Sequence, residues 1–308
     1  MSNALLYAIT VLVWGSTWLA IEFQLGVVEP EVSIVYRYAG AALLLFGWSR
    51  IRRLPLAFSL RQHGRFFLLG MLLFSLNYIL AYRAQIYISS ALTAIAFSTL
   101  VWMNIINARL FFGVRAGRRV LIGALLGVAG IITLFAPQIG ELTLSDSVFY
   151  GAMLAFLGAL IASFGNMVSQ AAQKTRLPVV QSNAWGMLYG AMITATIALV
   201  EGHEFVFDWS PGYLGSLLYL TVFGSIVAFG AYLTLLGRIG AHRAGYAMVM
   251  FPVVALILSV IFEDLEIDAT VISGTLLVLA GNVFVLNTKA RLPRRWAGNK
   301  GRPRLTPT

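Results

Sequence analysis

The sequence predicts an all-α integral membrane protein: ten transmembrane helices, built as two five-helix repeats of inverted topology, with both termini cytoplasmic. Three observations predict it. The 308 residues are 59% hydrophobic and 11% charged, whereas soluble domains carry about 25% charged residues. The apolar residues gather into runs of the length a bilayer requires, about 17–25 residues each. Basic and acidic residues alternate between successive connections. A soluble enzyme is thereby excluded. The absence of cysteine removes disulfide scaffolds, thiolate metal sites and cysteine nucleophiles.

The first run, 4–23, follows Met-Ser-Asn-Ala, which lacks the basic region of a cleavable signal peptide, so it is expected to stay as a helix. The next four runs are 32–49, 66–86, 91–112 and 119–138, and the second five are 148–170, 182–200, 213–236, 244–262 and 270–288. With the N-terminus inside, twenty of the 22 Lys and Arg fall in cytoplasmic connections and the tail, while all twelve acids, from Glu22 to Asp268, fall opposite. The basic bias sets the orientation. It also accounts for the net charge of +10 without nucleic acid, because the basic tail 289–308 lies near anionic lipid headgroups.

Sliding the chain on itself by 151 residues lays Val120-Leu-Ile-Gly123-Ala-Leu-Leu-Gly-Val-Ala129-Gly130 over Val271-Ile-Ser-Gly274-Thr-Leu-Leu-Val-Leu-Ala280-Gly281, with six identities in eleven. This divides the chain into a first repeat at 1–140, a second at 146–288 and the tail 289–308. Five helices is an odd number, so the second copy enters the membrane from the other face, as in secondary transporters whose site lies at the midplane between copies.

Several motifs resemble those of EamA-type members of the drug/metabolite transporter superfamily. They are Trp14-Gly15-Ser16-Thr17-Trp18 in the first helix, Arg37 in the second, Pro252-Val253-Val254-Ala255 in the ninth with the acidic stretch after it, and Gly274…Gly281 in the tenth. The resemblance spans 4–288 and is directed to the YddG-like amino-acid exporters of that family. It implies a multi-pass carrier of the bacterial cytoplasmic (inner) membrane that exports aromatic and other neutral amino acids. Two positions depart from the family pattern. Val101 stands where the 151-residue offset puts the family's helix-4 proline, and Gly113-Val114-Arg115 lacks its Glu.

The chemistry of the residues limits the function further. No Walker loop, paired-His zinc motif or Gly-x-Gly-x-x-Gly occurs. His63, His203 and His242 are expected in loops, so no cofactor, metal or catalytic residue is expected. Movement follows a gradient. No acid lies near a helix midpoint, which favours facilitative transport over proton antiport. Glu22 is the one acid placed for coupling, and it reads as an interfacial group near Arg37 or Arg83. Arg37 lies about 10 Å from the outer end of its helix at 1.5 Å per residue, deep enough to need a partner. That partner is either Glu22, structurally, or the substrate carboxylate. Arg83 is expected to snorkel. Glu22, Arg37 and Pro252 are therefore the structural or gating positions, Pro252 because it removes a backbone hydrogen bond in mid-helix and can act as a hinge.

Aromatic residues supply the substrate argument. Trp14 and Trp18 share one face of the first helix. Ser75, Tyr78, Tyr82 and Gln85 share a face of the third, and Ser225, Phe229 and Tyr232 a face of the eighth. Asn77, Asn104, Ser163 and Asn166 add uncharged polar groups. Tyr38, and Trp102 near the midpoint of the fourth helix, complete the expected substrate-binding set. A cavity so lined suits a zwitterion with an apolar side chain, handled by alternating access between halves. Export of other metabolites or amphiphilic drugs fits the same aromatics through cation–π contacts. A third reading is a multi-helix membrane protein without transport activity. Gly123-xxx-Gly127 and Gly186-xxx-Gly190 permit close helix approach within the chain or between copies, so a monomer or weak dimer is expected, with membrane lipids and a small-molecule substrate as partners.

Overall fold

The computed structural model describes residues 1–88, 90–134, 136, 146–251, 253–254 and 269–286, and every element among them is helical. In chain order these are α1 (Asn3–Glu22), α2 (Pro30–Ile51), α3 (Leu60–Tyr87) and α4, whose two pieces are Ser90–Ser98 and Leu100–Phe112. Then follow α5 (Arg118–Leu134), α6 (Asp146–Lys174), α7 (Val179–Val200), α8 (Pro211–Ile239), the one-turn α9 (Ala241–Ala244) and α10 (Ala269–Leu286). Among the described residues seven helices are both long and apolar enough to cross a membrane: α1, α2, α3, Ile95–Phe112 of α4, α6, α7 and α8. Of the expected run 244–262, Pro252 and 255–262 lie outside the described residues, as does the whole tail 289–308.

Local chemistry sets the helix ends. The Ser2 side chain accepts from the Leu5 amide to open α1, and Ser59 and Gln62 form a reciprocal capping box at α3. Pro30 and Pro211 occupy first-turn positions where no amide is needed. Gly113, at φ 65°, closes α4 in the left-handed conformation. The outward faces carry large apolar side chains such as Leu12, Leu43 and Leu110, each more than half exposed, as a bilayer rather than water requires.

The helices pair closely: α2 with α7, α5 with α10, α3 with both α6 and α7, and α8 with both α1 and α2. Small residues bring the backbones together. A Cβ placed on Gly123 would lie 2.6 Å from the Gly281 carbonyl, and one on Gly130 would lie 2.7 Å from the Gly274 carbonyl, so α5 and α10 run antiparallel. Gly186 and Gly190 of α7 pack on Leu69 and Phe74 of α3. Both expected close-approach motifs are thus occupied inside the chain, which removes them as faces for dimerisation.

Two π-helical segments interrupt the long helices, Leu72–Leu76 in α3 and Leu220–Val227 in α8. Widened turns leave backbone groups to be satisfied by side chains. Ser225 Oγ donates to the Leu220 carbonyl at 3.0 Å, and Trp14 Nε1 donates to the Gly224 carbonyl at 2.9 Å. In α3 the Thr194 hydroxyl of α7 bonds Ser75 Oγ at 2.8 Å.

Candidate substrate cavity

One interior cavity lies beside these segments: Leu73 of the first lines it, and the turns that follow both segments supply Asn77, Tyr78, Phe229 and Tyr232. Its volume is about 60 Å³, a narrow space enclosed between the helices. α1 contributes Trp14, Thr17, Trp18 and Ile21; α3 contributes Leu73, Asn77, Tyr78 and Ala81; α8 contributes Phe229 and Tyr232. Arg37, Phe97, Asn166, Met248 and Phe251 come from other parts of the chain.

The aromatic wall is edge-to-face. The Phe229 ring lies 4.7 Å from Trp14, 4.8 Å from Phe74 and 6.2 Å from Tyr78, and Trp18 meets Phe97 at 5.2 Å. Such packing fixes ring orientation. Polar atoms interrupt it. Trp18 Nε1, Asn77 Oδ1 and Asn166 Oδ1 are buried and have no partner among the described residues, a costly condition for polar groups out of water.

Arg37 is 1% exposed and faces the same cavity. Its Nε donates to Ser225 Oγ at 2.9 Å and its Nη1 to the Tyr82 hydroxyl at 3.3 Å. The guanidinium carbon stands 4.8 Å from the Tyr78 ring centre and 5.3 Å from that of Tyr38. Among the described residues no carboxylate pairs with it. The expected Glu22–Arg37 pair does not form; Glu22 is exposed at the end of α1. Arg37 therefore moves from the structural positions to the cavity lining.

Of the expected binding residues, Trp14, Trp18, Asn77, Tyr78, Asn166 and Phe229 line the cavity. Tyr38, Tyr82, Asn104, Ser163 and Ser225 are buried but stand outside the lining. Ser225 and Tyr82 hold Arg37, and Tyr38 backs Tyr78 and Phe74. Asn104 Oδ1 accepts from Ser163 Oγ at 2.8 Å and Asn166 Nδ2 at 3.3 Å, and so orients the lining amide. Trp102 is corrected: it packs on the separate apolar cluster of Val101, Val120 and Tyr246 that joins α4 to α5 and α10. Depth along a helix does not say which way a side chain turns. Thr17, Ile21, Phe97, Met248 and Phe251 were missed as lining, and only the one-turn spacing of Trp14, Trp18 and Ile21 offered a signal.

At the end of the bundle predicted to be outer, Arg83 does not snorkel. Its Nε donates to Glu31 Oε1 at 2.6 Å and its Nη2 to Glu201 Oε2. His203 Nε2 lies 3.1 Å from Glu201 and 3.6 Å from Glu31, a carboxylate only 1% exposed. This network ties α2 and α3 to the α7–α8 connection. The hydrogen-bonded Arg83 guanidinium holds the Glu201 carboxyl below the usual carboxylate range. Glu29, Glu31 and His203 bring ligand atoms within 4.8 Å of one another, but Glu31 is already engaged by Arg83, so the cluster reads as an ion-pair network. Two of the three histidines are in helices rather than loops. His63, in α3, sits 4.6 Å from the Trp185 ring and bonds the Tyr189 hydroxyl at 2.9 Å. His242, in α9, is pushed down to about 4 by burial, with Arg243 adding to the effect.

Comparison with known proteins agrees with this architecture. The chain is 24% identical over 285 residues to the uncharacterized transporter YoaV of Bacillus subtilis, covering 90% of this chain and 95% of that protein. It is 26% identical over 251 residues to the uncharacterized inner membrane transporter YedA of Escherichia coli, covering 80% and 78% respectively. A protein of known crystal structure shares the fold, with a TM-score of 0.75 at 18% identity over 92% of this chain and 97% of that one. The family model for EamA-like transporters matches twice, at 1–136 and 149–287. The chain is therefore a multi-pass membrane transporter and belongs to the EamA-like transporter family.

Proposed function

We propose that the protein is a facilitative carrier of the bacterial inner membrane that exports neutral amino acids, aromatic ones included, in the manner of the YddG-like exporters it resembles. The observation that carries this reading is the cavity itself: an aromatic wall interrupted by the unpartnered Trp18 Nε1, Asn77 Oδ1 and Asn166 Oδ1. An apolar side chain fits the wall, the amide oxygens accept from an ammonium, and the indole N–H donates to a carboxylate. Among the described residues no acid lines the cavity, which supports uncoupled rather than proton-driven movement. The relative YedA is described as an inner membrane transporter, which supports the location.

Ten helices in two inverted halves, with both termini cytoplasmic, form the other part of the proposal. Its support is an exchange relation. Gly123 and Gly274 are 151 residues apart, as are Gly130 and Gly281, and the contacts cross over: Gly123 meets Gly281 while Gly130 meets Gly274. Crossed contacts of this kind are what a two-fold axis produces. Shifting α3 by 151 residues gives 211–238, against Pro211–Ile239 for α8. The segment Leu72–Leu76 likewise shifts to 223–227, inside Leu220–Val227.

The test is counterflow in proteoliposomes. Vesicles are preloaded with unlabelled phenylalanine, methionine or threonine, labelled amino acid is added outside, and the assay is repeated with an imposed pH gradient. Accelerated entry that ignores the gradient is expected. No counterflow with any amino acid would overturn the amino-acid reading and favour other metabolites or amphiphilic drugs.

A further inference from the structure

We infer that Arg37 is an anion subsite of the cavity and that it selects substrates bearing one free carboxylate on an uncharged apolar body. The inference rests on the proposed amino-acid reading and narrows it. A guanidinium carries five N–H groups. One goes to Ser225 and one to Tyr82, which leaves one on Nη1 and two on Nη2 with no partner among the described residues. Those two nitrogens form the end of the guanidinium fork, the edge that meets a carboxylate with two parallel hydrogen bonds.

The second observation is charge balance. Arg37 is 1% exposed and, among the described residues, has no acid beside it. A buried cation is held at a cost unless an anion reaches it. Tyr78 and Tyr38 lie against the guanidinium and lessen that cost, but neither supplies an anion. A carboxylate from the cavity completes the set.

The subsite also excludes. An amphiphilic amine or quaternary ammonium would bring a second positive charge to a buried one, so cationic drugs are poor occupants despite the aromatic wall. A phosphate dianion would leave one charge unbalanced, because Arg37 is the only cationic side chain among the described lining residues. An α-ammonium, in contrast, finds the unpartnered carbonyl oxygens of Asn77 and Asn166 in the same cavity.

Three probes separate the outcomes: L-phenylalanine, L-phenylalaninamide and 3-phenylpropionate. Each is tested for quenching of intrinsic tryptophan fluorescence in detergent and for competition with labelled L-phenylalanine in counterflow. L-Phenylalanine and 3-phenylpropionate are expected to bind, and the amide to bind about 10- to 100-fold more weakly, the loss that follows from one charged hydrogen-bonded contact. In Arg37→Gln that preference should collapse, whereas Arg37→Lys, which keeps the charge and loses the fork, should retain part of it. Equal binding of the amide and L-phenylalanine by the native protein overturns the subsite and leaves amino-acid transport standing. Binding of 3-phenylpropionate without binding or counterflow of L-phenylalanine upholds the subsite and overturns the amino-acid reading. Binding by neither carboxylate overturns both. Because the native protein alone decides these outcomes, misfolding of a variant does not rescue the idea.

Discussion

Replacing Gly70 by alanine tests whether the α3–α7 seam holds the cavity walls in place. A Cβ at Gly70 would lie 2.5 Å from the Gly186 carbonyl oxygen and 2.8 Å from the Gly190 nitrogen. Both are helix backbone and cannot rotate away. Ordinary contact begins at 3.4 Å, so the helices must separate by up to about 0.9 Å (3.4 minus 2.5) at that point. A gap of that size forfeits a quarter to a half of the dispersion energy of the atoms along it, and overpacking of this kind costs about 1–3 kcal/mol. Alanine also gains about 0.8–1 kcal/mol over glycine in a helix, which offsets part of the loss. Gly64 supplies the control. It lies on the same helix with nothing within 4 Å of its would-be Cβ, so Gly64→Ala carries the propensity gain alone. The two variants should therefore differ by about 1–3 kcal/mol, and in detergent the Gly70→Ala protein should lose its monodisperse size-exclusion peak several degrees below Gly64→Ala. If Gly70→Ala survives heating as well as Gly64→Ala, the seam is not close-packed and the argument from would-be Cβ contacts fails.

Other expectations follow from the same geometry. Phe229→Ala removes the ring packed on Trp14 and Phe74 and should raise the KM for phenylalanine counterflow about tenfold, the scale of one or two aromatic contacts; an unchanged KM would remove Phe229 from the site. His242, lowered to about 4 by burial and Arg243, stays neutral in the fold while its unfolded form titrates near 6.5. A depressed histidine contributes stability that is full above pH 6.5 and declines as pH falls toward 4, so the thermal midpoint should drop across that window and His242→Gln should flatten the drop. Glu31→Gln takes the buried partner from Arg83 and should cost about 1–2 kcal/mol, less in a background that already lacks Arg83; full additivity in that double-mutant cycle would deny the pair any coupling.

The helices were legible because lipid imposes a length and an apolar composition that soluble folds do not. Runs 66–86 and 213–236 fall inside α3 and α8, whose true ends are set by Ser59 and Ser210 caps. The cavity was legible only where spacing along one helix selects a face, as for Trp14 and Trp18. Direction toward or away from a neighbouring helix is a property of packing, and here it misled: Trp102 turns to α5 and α10, and Tyr82 and Ser225 stand behind Arg37. The π segments could not be seen, since their widened turns shift the face that periodicity assigns. The Arg83 network was missed because Glu31, Arg83 and the Glu201–His203 segment are far apart in sequence and meet only through helix packing.

The frame and the lining obey different demands. Positions 151 apart match closely in the frame: crossed glycines join α5 to α10, and π segments interrupt α3 and α8. Four pairs of lining positions match as well: Tyr78 with Phe229, Ala81 with Tyr232, Phe97 with Met248 and Leu100 with Phe251. The polar groups do not. Arg37 corresponds to Leu188, Trp18 to Ser169, Asn77 to Ala228 and Asn166 to Gly15. Alternation between two halves asks for walls that can exchange roles, and a matched frame provides them at little difference in energy between the inward and outward arrangements. A single asymmetric ligand asks for the opposite: one cation for one carboxylate, amide oxygens elsewhere, and aromatic faces between. Changes to the glycine seams should therefore alter the turnover of every substrate together, whereas changes to Arg37, Asn77 or Asn166 should alter which substrates are chosen. A seam variant that changed preference between L-phenylalanine and its amide, with turnover otherwise intact, would break that division.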